Sequence, residues 1–375
     1  SLYHPPNVLI YWNMVKITLT PVVACLLLAV RFHGCEALGS SSGGVLKNEG
    51  VSSLGVPFSR LPSLQDFDYR ANDRMPWVAE GYGNWKWKGH DINYLEMGDP
   101  SKPALLLIHG FGASSYHFRY NIPNLARDFH VYAFDKLGFG GSSKPIQDYS
   151  AELWRDQAVD FITQVIDKPT TIAGNSIGGF TALYTAASEE AKPFINGCIL
   201  LNAAGKFKDP TEEIIIEEPK NEFVESIMSA IQRAVIAVSF VVTKQPARIE
   251  QVLRQVYPIN ANMVDQELVD SIQLPSQDPN AAEVFYRVIK KNSSGRPSVY
   301  VDDLLQRLEC PLLLCWGEAD PWIRPAAADK IQTLYTNSQR VSIPAGHCPH
   351  DESPDQVNSA IRNFINEIDL KGRTK

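Results

Sequence analysis

Gly174-Asn175-Ser176-Ile177-Gly178-Gly179 is the stretch of sequence that decides the fold of this chain. It directly follows an apolar run, residues 170–173, and directly precedes a helix-like segment, residues 180–187. A G-x-S-x-G sequence between a strand and a helix is typical of a nucleophile elbow, which lifts a serine hydroxyl to the tip of a sheet. The glycines are needed because a Cβ atom would clash in so sharp a turn. The pattern predicts that Ser176 is a nucleophile, and an unreactive serine in a glycine-rich turn is the alternative.

Strand-like and helix-like segments alternate along most of the chain. Residues 85–94 alternate around a glycine turn, as in a β-hairpin. Apolar runs of strand length indicate strands buried on both faces, and they lie at residues 104–108, 131–134, 170–173, 198–201 and 312–316. A further strand is predicted at residues 340–343. Helix-like segments lie at about residues 116–127, 151–166, 177–190, 325–336 and 354–369. This alternation predicts an α/β fold with a mostly parallel central sheet flanked by helices.

The loop after the strand at residues 104–108 is His109-Gly110-Phe111-Gly112-Ala113. Such a loop brings a backbone N–H beside the nucleophile, so we assign the two oxyanion-hole donors to the N–H groups of Phe111 and Ile177. Each donor aimed at developing negative charge stabilises a transition state by roughly 3–4 kcal/mol. His109 is expected to brace this loop through hydrogen bonds, and Asp135, in the next loop along the sheet, is expected to be structural as well.

The acid and the base are predicted from two loops late in the chain. Asp320 and His347 each follow a predicted strand, and open α/β sheets build their sites at the carboxyl ends of strands. The order Ser176, Asp320, His347 is one in which serine, acid and histidine occur in catalytic triads. His347 would take the serine proton near neutral pH, and Asp320 would fix its tautomer and stabilise the imidazolium.

Each of these two assignments has an alternative in the same loop. His350 lies three residues after His347 and is the alternative base, but His347 is favoured because a glycine precedes it. Glu318 is the alternative acid, but Asp320 is favoured because it lies further along its loop, directly before a proline.

The composition excludes several classes of function. The chain has 375 residues, 44% of them hydrophobic and 21% charged, and a net charge of −7, with no basic run that would favour nucleic-acid binding. No Cys/His spacing suggests a zinc site, and serine chemistry needs no metal or organic cofactor. We therefore expect a small-molecule substrate and no cofactor, and the sequence leaves the oligomeric state open.

Residues 1–70 are expected to form a targeting segment and linker, followed by an ordered domain over residues 75–375. Met14-Val15-Lys16 gives a basic start, residues 21–30 an apolar core and Cys35-Glu36-Ala37 a cleavage pattern, as in a signal peptide. The serine-rich, acid-poor stretch to about residue 69 is similar to a transit peptide. A signal peptide followed by a transit-like stretch predicts import into a plastid, with secretion as the alternative.

Between about residues 206 and 300 the alternation of strands and helices stops, which predicts a helical cap over the ends of the strands. Helices are predicted near residues 221–242, 247–256 and 281–289. Residues 234–242 are apolar on all sides, and the favoured interpretation is a helix packed between cap and core. The alternative is the wall of a channel for a long apolar chain, or a face that makes peripheral contact with a membrane.

With these motifs, the chain resembles the α/β-hydrolase superfamily over about residues 80–370. The matching motifs are residues 109–113, 135–142, 174–179, 317–321 and 346–354. The hairpin at 85–94, Arg119-Tyr120-Asn121-Ile122-Pro123 and Leu201-Asn202-Ala203-Ala204-Gly205 are further similar to plant and algal plastid hydrolases of the pheophytinase-like group. This resemblance implies an esterase that acts on a plastid lipid or on the phytyl ester of a chlorophyll derivative.

The residues and the resemblance together predict a lidded serine esterase that works through an acyl-enzyme. A serine nucleophile argues against haloalkane dehalogenases and epoxide hydrolases, which use aspartate at that position. A carbon–carbon bond hydrolase or an acyltransferase with the same triad is the nearest alternative. A non-catalytic binding subunit with a hydrolase fold is the alternative from another class, and the complete set of triad residues argues against it.

Overall fold

The computed structural model describes residues 67–209, 222–293 and 298–373 of the chain. The predicted signal peptide and nearly all of the predicted targeting segment therefore lie outside the described residues.

Eight strands form one sheet within these ranges. The strands are β1 (Gly83–Trp87), β2 (His90–Met97), β3 (Ala104–Ile108), β4 (His130–Phe134), β5 (Thr170–Asn175), β6 (Ile195–Leu201), β7 (Leu312–Gly317) and β8 (Ser338–Ile343). Their order across the sheet is β1-β2-β4-β3-β5-β6-β7-β8. β1 and β2 pair antiparallel, as do β2 and β4, and all other pairs are parallel. Every residue of β3, β4, β5 and β7 is buried, as expected for parallel strands covered on both faces.

The helices follow the predicted alternation outside the predicted cap region. They are α1 (Ile122–Leu125), α2 (Ala151–Phe161), α3 (Ile177–Ala186), α4 (Glu222–Thr243), α5 (Pro246–Val256), α6 (Gln266–Gln273), α7 (Ala281–Ser293), α8 (Val301–Arg307), α9 (Ala326–Leu334), α10 (Pro349–Glu352) and α11 (Pro354–Arg373). Helices α4 to α7 all lie between β6 and β7 in the sequence, where the alternation stops.

The helix predicted over residues 116–127 does not form as one element. The segment folds into a 3₁₀ turn at Ser115–Phe118 and the four-residue helix α1. Pro123 lacks a backbone N–H and fits the first turn of a helix but not its interior, so the longer helix is excluded. The helix predicted over residues 177–190 is also shorter, because α3 ends at Ala186.

Helix α4 is not enclosed on all sides, so the favoured interpretation of residues 234–242 was wrong for one face. Val238, Val241 and Val242 are 52%, 55% and 42% exposed, whereas Phe240 is 9% exposed. Positions i, i+3 and i+4 share one face of a helix, so the valines form an outer apolar face and Phe240 points to the other side. Among the described helices, none combines the length and the hydropathy that crossing a membrane requires.

Candidate active site

The turn between β5 and α3 places Ser176 at the carboxyl end of the sheet. Ser176 has φ 56° and ψ −123°, a backbone conformation that is strained for a residue with a side chain and clusters at functional sites. Gly174 and Gly178 have no room for a side chain. A Cβ added to Gly174 would lie 2.2 Å from the oxygen of Gly178, and one added to Gly178 would lie 2.3 Å from the oxygen of Ile108. The predicted strand–turn–helix context is therefore present around Ser176.

The loop after β3 lies beside this turn. A Cβ added to Gly110 would be 3.4 Å from the Cβ of Ser176, so the backbone of the loop passes close to the serine. Within the described part of the chain, the backbone N–H groups of Phe111 and Ile177 have no hydrogen-bond acceptor. Two such N–H groups on the segments that flank a serine suit an oxyanion hole.

His109 braces this loop, as expected from the sequence. Its Nε2 accepts a hydrogen bond from the N–H of Lys136 (2.9 Å), so Nδ1 carries the proton and donates to the oxygen of Gly110 (2.8 Å). Burial lowers the pKa of His109 well below its ordinary value, so the ring is neutral. With both nitrogens engaged, His109 has a structural role.

Asp320 and His347 lie next to each other, because they follow β7 and β8, which pair in the sheet. Nδ1 of His347 is 2.8 Å from Oδ2 of Asp320, and both side chains are buried. The other carboxylate oxygen, Oδ1, accepts hydrogen bonds from the N–H groups of Trp322 (2.7 Å) and Ile323 (3.0 Å). A carboxylate anchored on Nδ1 keeps the proton on that nitrogen and leaves Nε2 of His347 able to act as a base.

The alternative base is placed in a different environment. His350 is completely buried, and its ring packs 4.6 Å from the ring of Phe118 and 4.8 Å from that of His117. Burial, together with nearby positive charge, lowers the pKa of His350 well below its ordinary value. A neutral ring enclosed in this way is not oriented by a carboxylate as His347 is.

The alternative acid also has other partners. Glu318 accepts hydrogen bonds from Arg340 (2.9 Å) and from the hydroxyl of Ser342 (2.5 Å), and its side chain is 41% exposed. The structure thus brings Asp320 and His347 together and places Glu318 in a surface ion pair.

Asn175, the residue before the serine, ties the turn to the loop that carries His347. Its buried side-chain amide donates to the carbonyl oxygens of Leu201 (3.0 Å) and His347 (2.8 Å). The sequence could not indicate this second bond, because its partners are 172 residues apart. The bond places the base loop beside the turn that holds Ser176.

Asn202 holds Asp320, the predicted acid, in place, and it was not identified from the sequence. Its backbone has φ 45°, its amide donates to Oδ2 of Asp320 (2.8 Å), and its oxygen accepts from the N–H of Gly317 (2.8 Å). Asn202 lies in the segment 201–205, and the similarity of that segment to the pheophytinase-like group is the sequence signal that could have identified it.

Aromatic rings connect helices α4 and α7, in the predicted cap region, to this site. The ring of Phe111 lies 5.5 Å from that of Phe285 in α7, which in turn lies 5.1 Å from that of Phe240 in α4. On the side of the base, the ring of Trp322 is 4.9 Å from that of His347. An apolar ligand between cap and sheet would therefore meet aromatic surfaces.

A hydroxyl on a strained turn, an oriented imidazole, a buried carboxylate and two backbone donors suit acyl transfer. No group of three or more His, Cys, Asp or Glu side chains that could hold a metal ion occurs in the ranges that the structure describes.

Comparison with known proteins gives the same fold. A family model described as the alpha/beta hydrolase family matches residues 105–360. The chain is 29% identical to chloroplastic pheophytinase of Arabidopsis thaliana, over 88% of this chain and 74% of that protein. It is 24% identical to Lipase 1 of Psychrobacter immobilis, over 74% of this chain and 81% of that protein. The meta-cleavage product hydrolase CumD from Pseudomonas fluorescens IP01 superposes with a TM-score of 0.60 at 22% identity, over 77% of this chain and 98% of that chain.

The family model covers more than half of the chain, and it includes the serine turn and the loops of Asp320 and His347. The chain therefore belongs to the alpha/beta hydrolase family and is an enzyme of this class.

Proposed function

We propose that the protein is a serine esterase that hydrolyses a carboxylic ester of an apolar substrate, with Ser176, His347 and Asp320 as its catalytic triad. The observation that carries this proposal is the 2.8 Å contact between Asp320 and His347, on a loop that Asn175 ties to the serine turn. A hydrolase fold without chemistry would not need a buried carboxylate aimed at one nitrogen of a histidine in this place.

The proposed mechanism has two steps that share one base. His347 removes the proton of the Ser176 hydroxyl through Nε2 while the serine oxygen attacks the ester carbonyl. The N–H groups of Phe111 and Ile177 stabilise the negative charge on the carbonyl oxygen, and Asp320 stabilises the imidazolium. His347 then protonates the leaving alkoxide, which departs as an alcohol. A water molecule deprotonated by the same histidine hydrolyses the acyl-enzyme and restores the serine.

For the substrate, we propose the phytyl ester of a chlorophyll derivative or an ester of a plastid lipid. The similarity to chloroplastic pheophytinase supports this choice. The rings of Phe111, Phe285 and Trp322 beside the site suit a large apolar substrate.

Product analysis tests this proposal. The purified protein is incubated with a phytylated pigment, and the products are separated and weighed by liquid chromatography and mass spectrometry. We expect pigment acid and phytol in equal amounts from the wild-type protein, and neither from Ser176→Ala. Transfer of the acyl group to an added alcohol in place of water would indicate an acyltransferase, and cleavage of a vinylogous diketone alone would indicate a carbon–carbon hydrolase. Product formation by Ser176→Ala at the wild-type rate would refute the triad.

We propose a plastid as the site of action. The match to a chloroplastic protein supports this location, as does the order of signal-like and transit-like stretches in the sequence. Residues 14–70 fused to a fluorescent reporter should direct it into plastids, and a reporter that is secreted would contradict the proposal.

We further propose that the outer face of α4 makes peripheral contact with a membrane that holds the substrate. Val238, Val241 and Val242 are exposed there, and an exposed apolar helix face suits contact with the surface of a bilayer. Cosedimentation with phospholipid vesicles should be lowered by the double variant Val238→Ser, Val241→Ser, and unchanged cosedimentation would contradict this contact.

A further inference from the structure

The loop that carries His347 is in direct backbone contact with the cap. The N–H of His347 donates to the oxygen of Val256, the last residue of α5 (3.0 Å). A Cβ added to Gly346 would lie 2.3 Å from that same oxygen and 2.4 Å from Cδ of Pro258. Only a glycine therefore allows this approach, and the proposed base is bonded to the cap through its own backbone.

Glu352 binds both sides of this contact. Its carboxylate is buried; Oε2 accepts from the N–H of Gly346 (2.5 Å), and Oε1 accepts from the N–H groups of Ile259 and Asn260 (2.8 Å each). Gly346 precedes His347, and Ile259 and Asn260 form the turn after α5. One carboxylate thus joins the base loop and the cap into a single unit.

Arg119 makes a second bridge between the same two segments. Its completely buried guanidinium donates to both oxygens of Asp351 (2.9 and 3.2 Å) in α10, just after the base loop. It also donates to Asp265 (2.7 Å), which caps α6, and to the carbonyl of Met263 (2.5 Å). The hydroxyl of Tyr257 donates to the same Asp351 carboxylate (2.8 Å). Each partner is buried or bound on several sides, so the bridge has little freedom.

An apolar cluster closes around these polar bonds. Cys348, which follows His347, belongs to it together with Ile249, Leu253, Val256, Tyr257, Val264, Leu268 and Val269 of the cap. Trp322, whose ring lies 4.9 Å from that of His347, packs against this cluster.

We propose that Glu352, Arg119 and Asp351 are positioning residues that hold His347 in its working place by clamping the base loop to residues 256–265 of the cap. This proposal rests on the proposed function. On this proposal, residues 256–265 of the cap affect the rate of hydrolysis of every ester, including one too small to contact the cap. A cap that only covers the substrate would leave the rate with such a small ester unchanged.

Glu352→Gln tests the proposal with almost no change in volume. A glutamine side chain cannot accept on both sides, because its NH₂ group must face the N–H of Gly346 or those of Ile259 and Asn260. Either placement releases the base loop or the cap turn. A catalytic group displaced by about 1 Å costs on the order of 100-fold in rate. We therefore expect kcat for p-nitrophenyl acetate to fall about 10- to 100-fold, with KM within about 2-fold of wild type.

Labelling with a fluorophosphonate separates positioning from loss of folded protein. The final labelled fraction counts folded sites with an intact serine, while the labelling rate depends on the histidine. We expect Glu352→Gln to reach the wild-type labelled fraction at a rate lowered about as much as kcat. Glu367→Gln, an exposed glutamate on α11 that contacts Gln339, is the matched control and should behave as wild type.

Tyr257→Phe is the second variant. Without opening a cavity, it removes the hydroxyl that donates to Asp351 and that lies 2.7 Å from Nε2 of His117. It should lower kcat per labelled site about 3- to 10-fold, again with little change in KM. Its control is Tyr335→Phe, which removes a hydroxyl that bonds the carbonyl of Cys310. If Glu352→Gln does not fold, Tyr257→Phe alone decides.

If Glu352→Gln has the wild-type labelling rate and the wild-type kcat per labelled site, the positioning role is overturned. Where Glu352→Gln does not fold, the same result in Tyr257→Phe overturns it. A wild-type protein that is folded but takes no label would instead refute the proposed function, so the two failures are distinguishable.

Discussion

Asp320 accepts hydrogen bonds from four different groups, and this makes it the least replaceable residue of the proposed triad after the serine. The groups are the N–H of Trp322, the N–H of Ile323, the amide of Asn202 and Nδ1 of His347. With every direction occupied by a donor, the carboxylate has one orientation, and it imposes one tautomer on His347.

Asp320→Asn should lower kcat about 10³- to 10⁴-fold while KM changes little, because an asparagine NH₂ group facing Nδ1 favours the wrong tautomer of His347. Steady-state kinetics with a p-nitrophenyl ester measure this. Glu318→Gln, in the same loop, is the control and should stay within about 2-fold of wild type, since Glu318 bonds Arg340 at the surface. Equal losses in the two variants would show that Asp320 is not the acid.

Buried histidines should make the stability of the fold depend on pH. Burial lowers the pKa of His109 and His350 well below the ordinary value and that of His117 to about 3. These rings stay neutral in the folded protein, whereas they titrate near pH 6.5 in the unfolded chain. Below about pH 6.5 the unfolded chain therefore binds protons that the folded protein does not, and the free energy of unfolding falls by up to about 1.4 kcal/mol per pH unit for each histidine.

His350→Leu should reduce the slope of the free energy of unfolding against pH by the contribution of one proton. The substitution removes no hydrogen bond, because neither ring nitrogen of His350 has a partner among the described residues. Urea denaturation at about pH 7.5, 6.5 and 5.5 measures the slope. A variant with the wild-type slope would mean that His350 is charged in the folded protein.

The serine, the acid and the base could be proposed from the sequence because each lies in a short loop directly after a predicted strand. The residues that hold them in place could not. Asn175, Asn202 and Glu352 act on partners brought close only by the order of strands in the sheet or by the approach of the cap. Nothing in local sequence encodes such contacts.

At the scale of elements, buried strands were predicted well and helices less well. Strands buried on both faces have continuous apolar sequences, and the short length of these runs distinguishes them from buried helices. Residues 116–127 have a helix-like composition, but Pro123 confines the helix to one turn. For α4, an apolar sequence on all sides did not distinguish the face that packs from the face that is exposed.

The two faces of α4 should therefore differ in their effect on stability. Phe240→Ala on the inner face removes a buried ring that contacts Phe285, and we expect it to cost about 3 kcal/mol in the free energy of unfolding. Val238→Ser on the outer face should change it by less than about 0.5 kcal/mol. Urea denaturation measures both, and a large loss for Val238→Ser would mean that this face is covered.

For the whole molecule, the bridges made by Glu352 and Arg119 imply that residues 256–265 and the loop that carries His347 unfold together. The amide hydrogens of Asn260 and His347 should exchange with solvent at similar, slow rates, since each is bonded across the contact. Hydrogen exchange followed by mass spectrometry measures this, and Glu352→Gln should speed both. Fast exchange at Asn260 beside slow exchange at His347 would mean that this part of the cap opens separately.

The central claim is that Ser176 is activated as a nucleophile by His347 and Asp320. Intact-protein mass spectrometry after exposure to a fluorophosphonate tests it most directly, with Ser176→Ala as the control. We predict a single adduct, located on the peptide that contains Ser176 and absent from the variant. No adduct on a folded wild-type protein, or an adduct that persists in Ser176→Ala, would contradict the account and favour a binding subunit with a hydrolase fold.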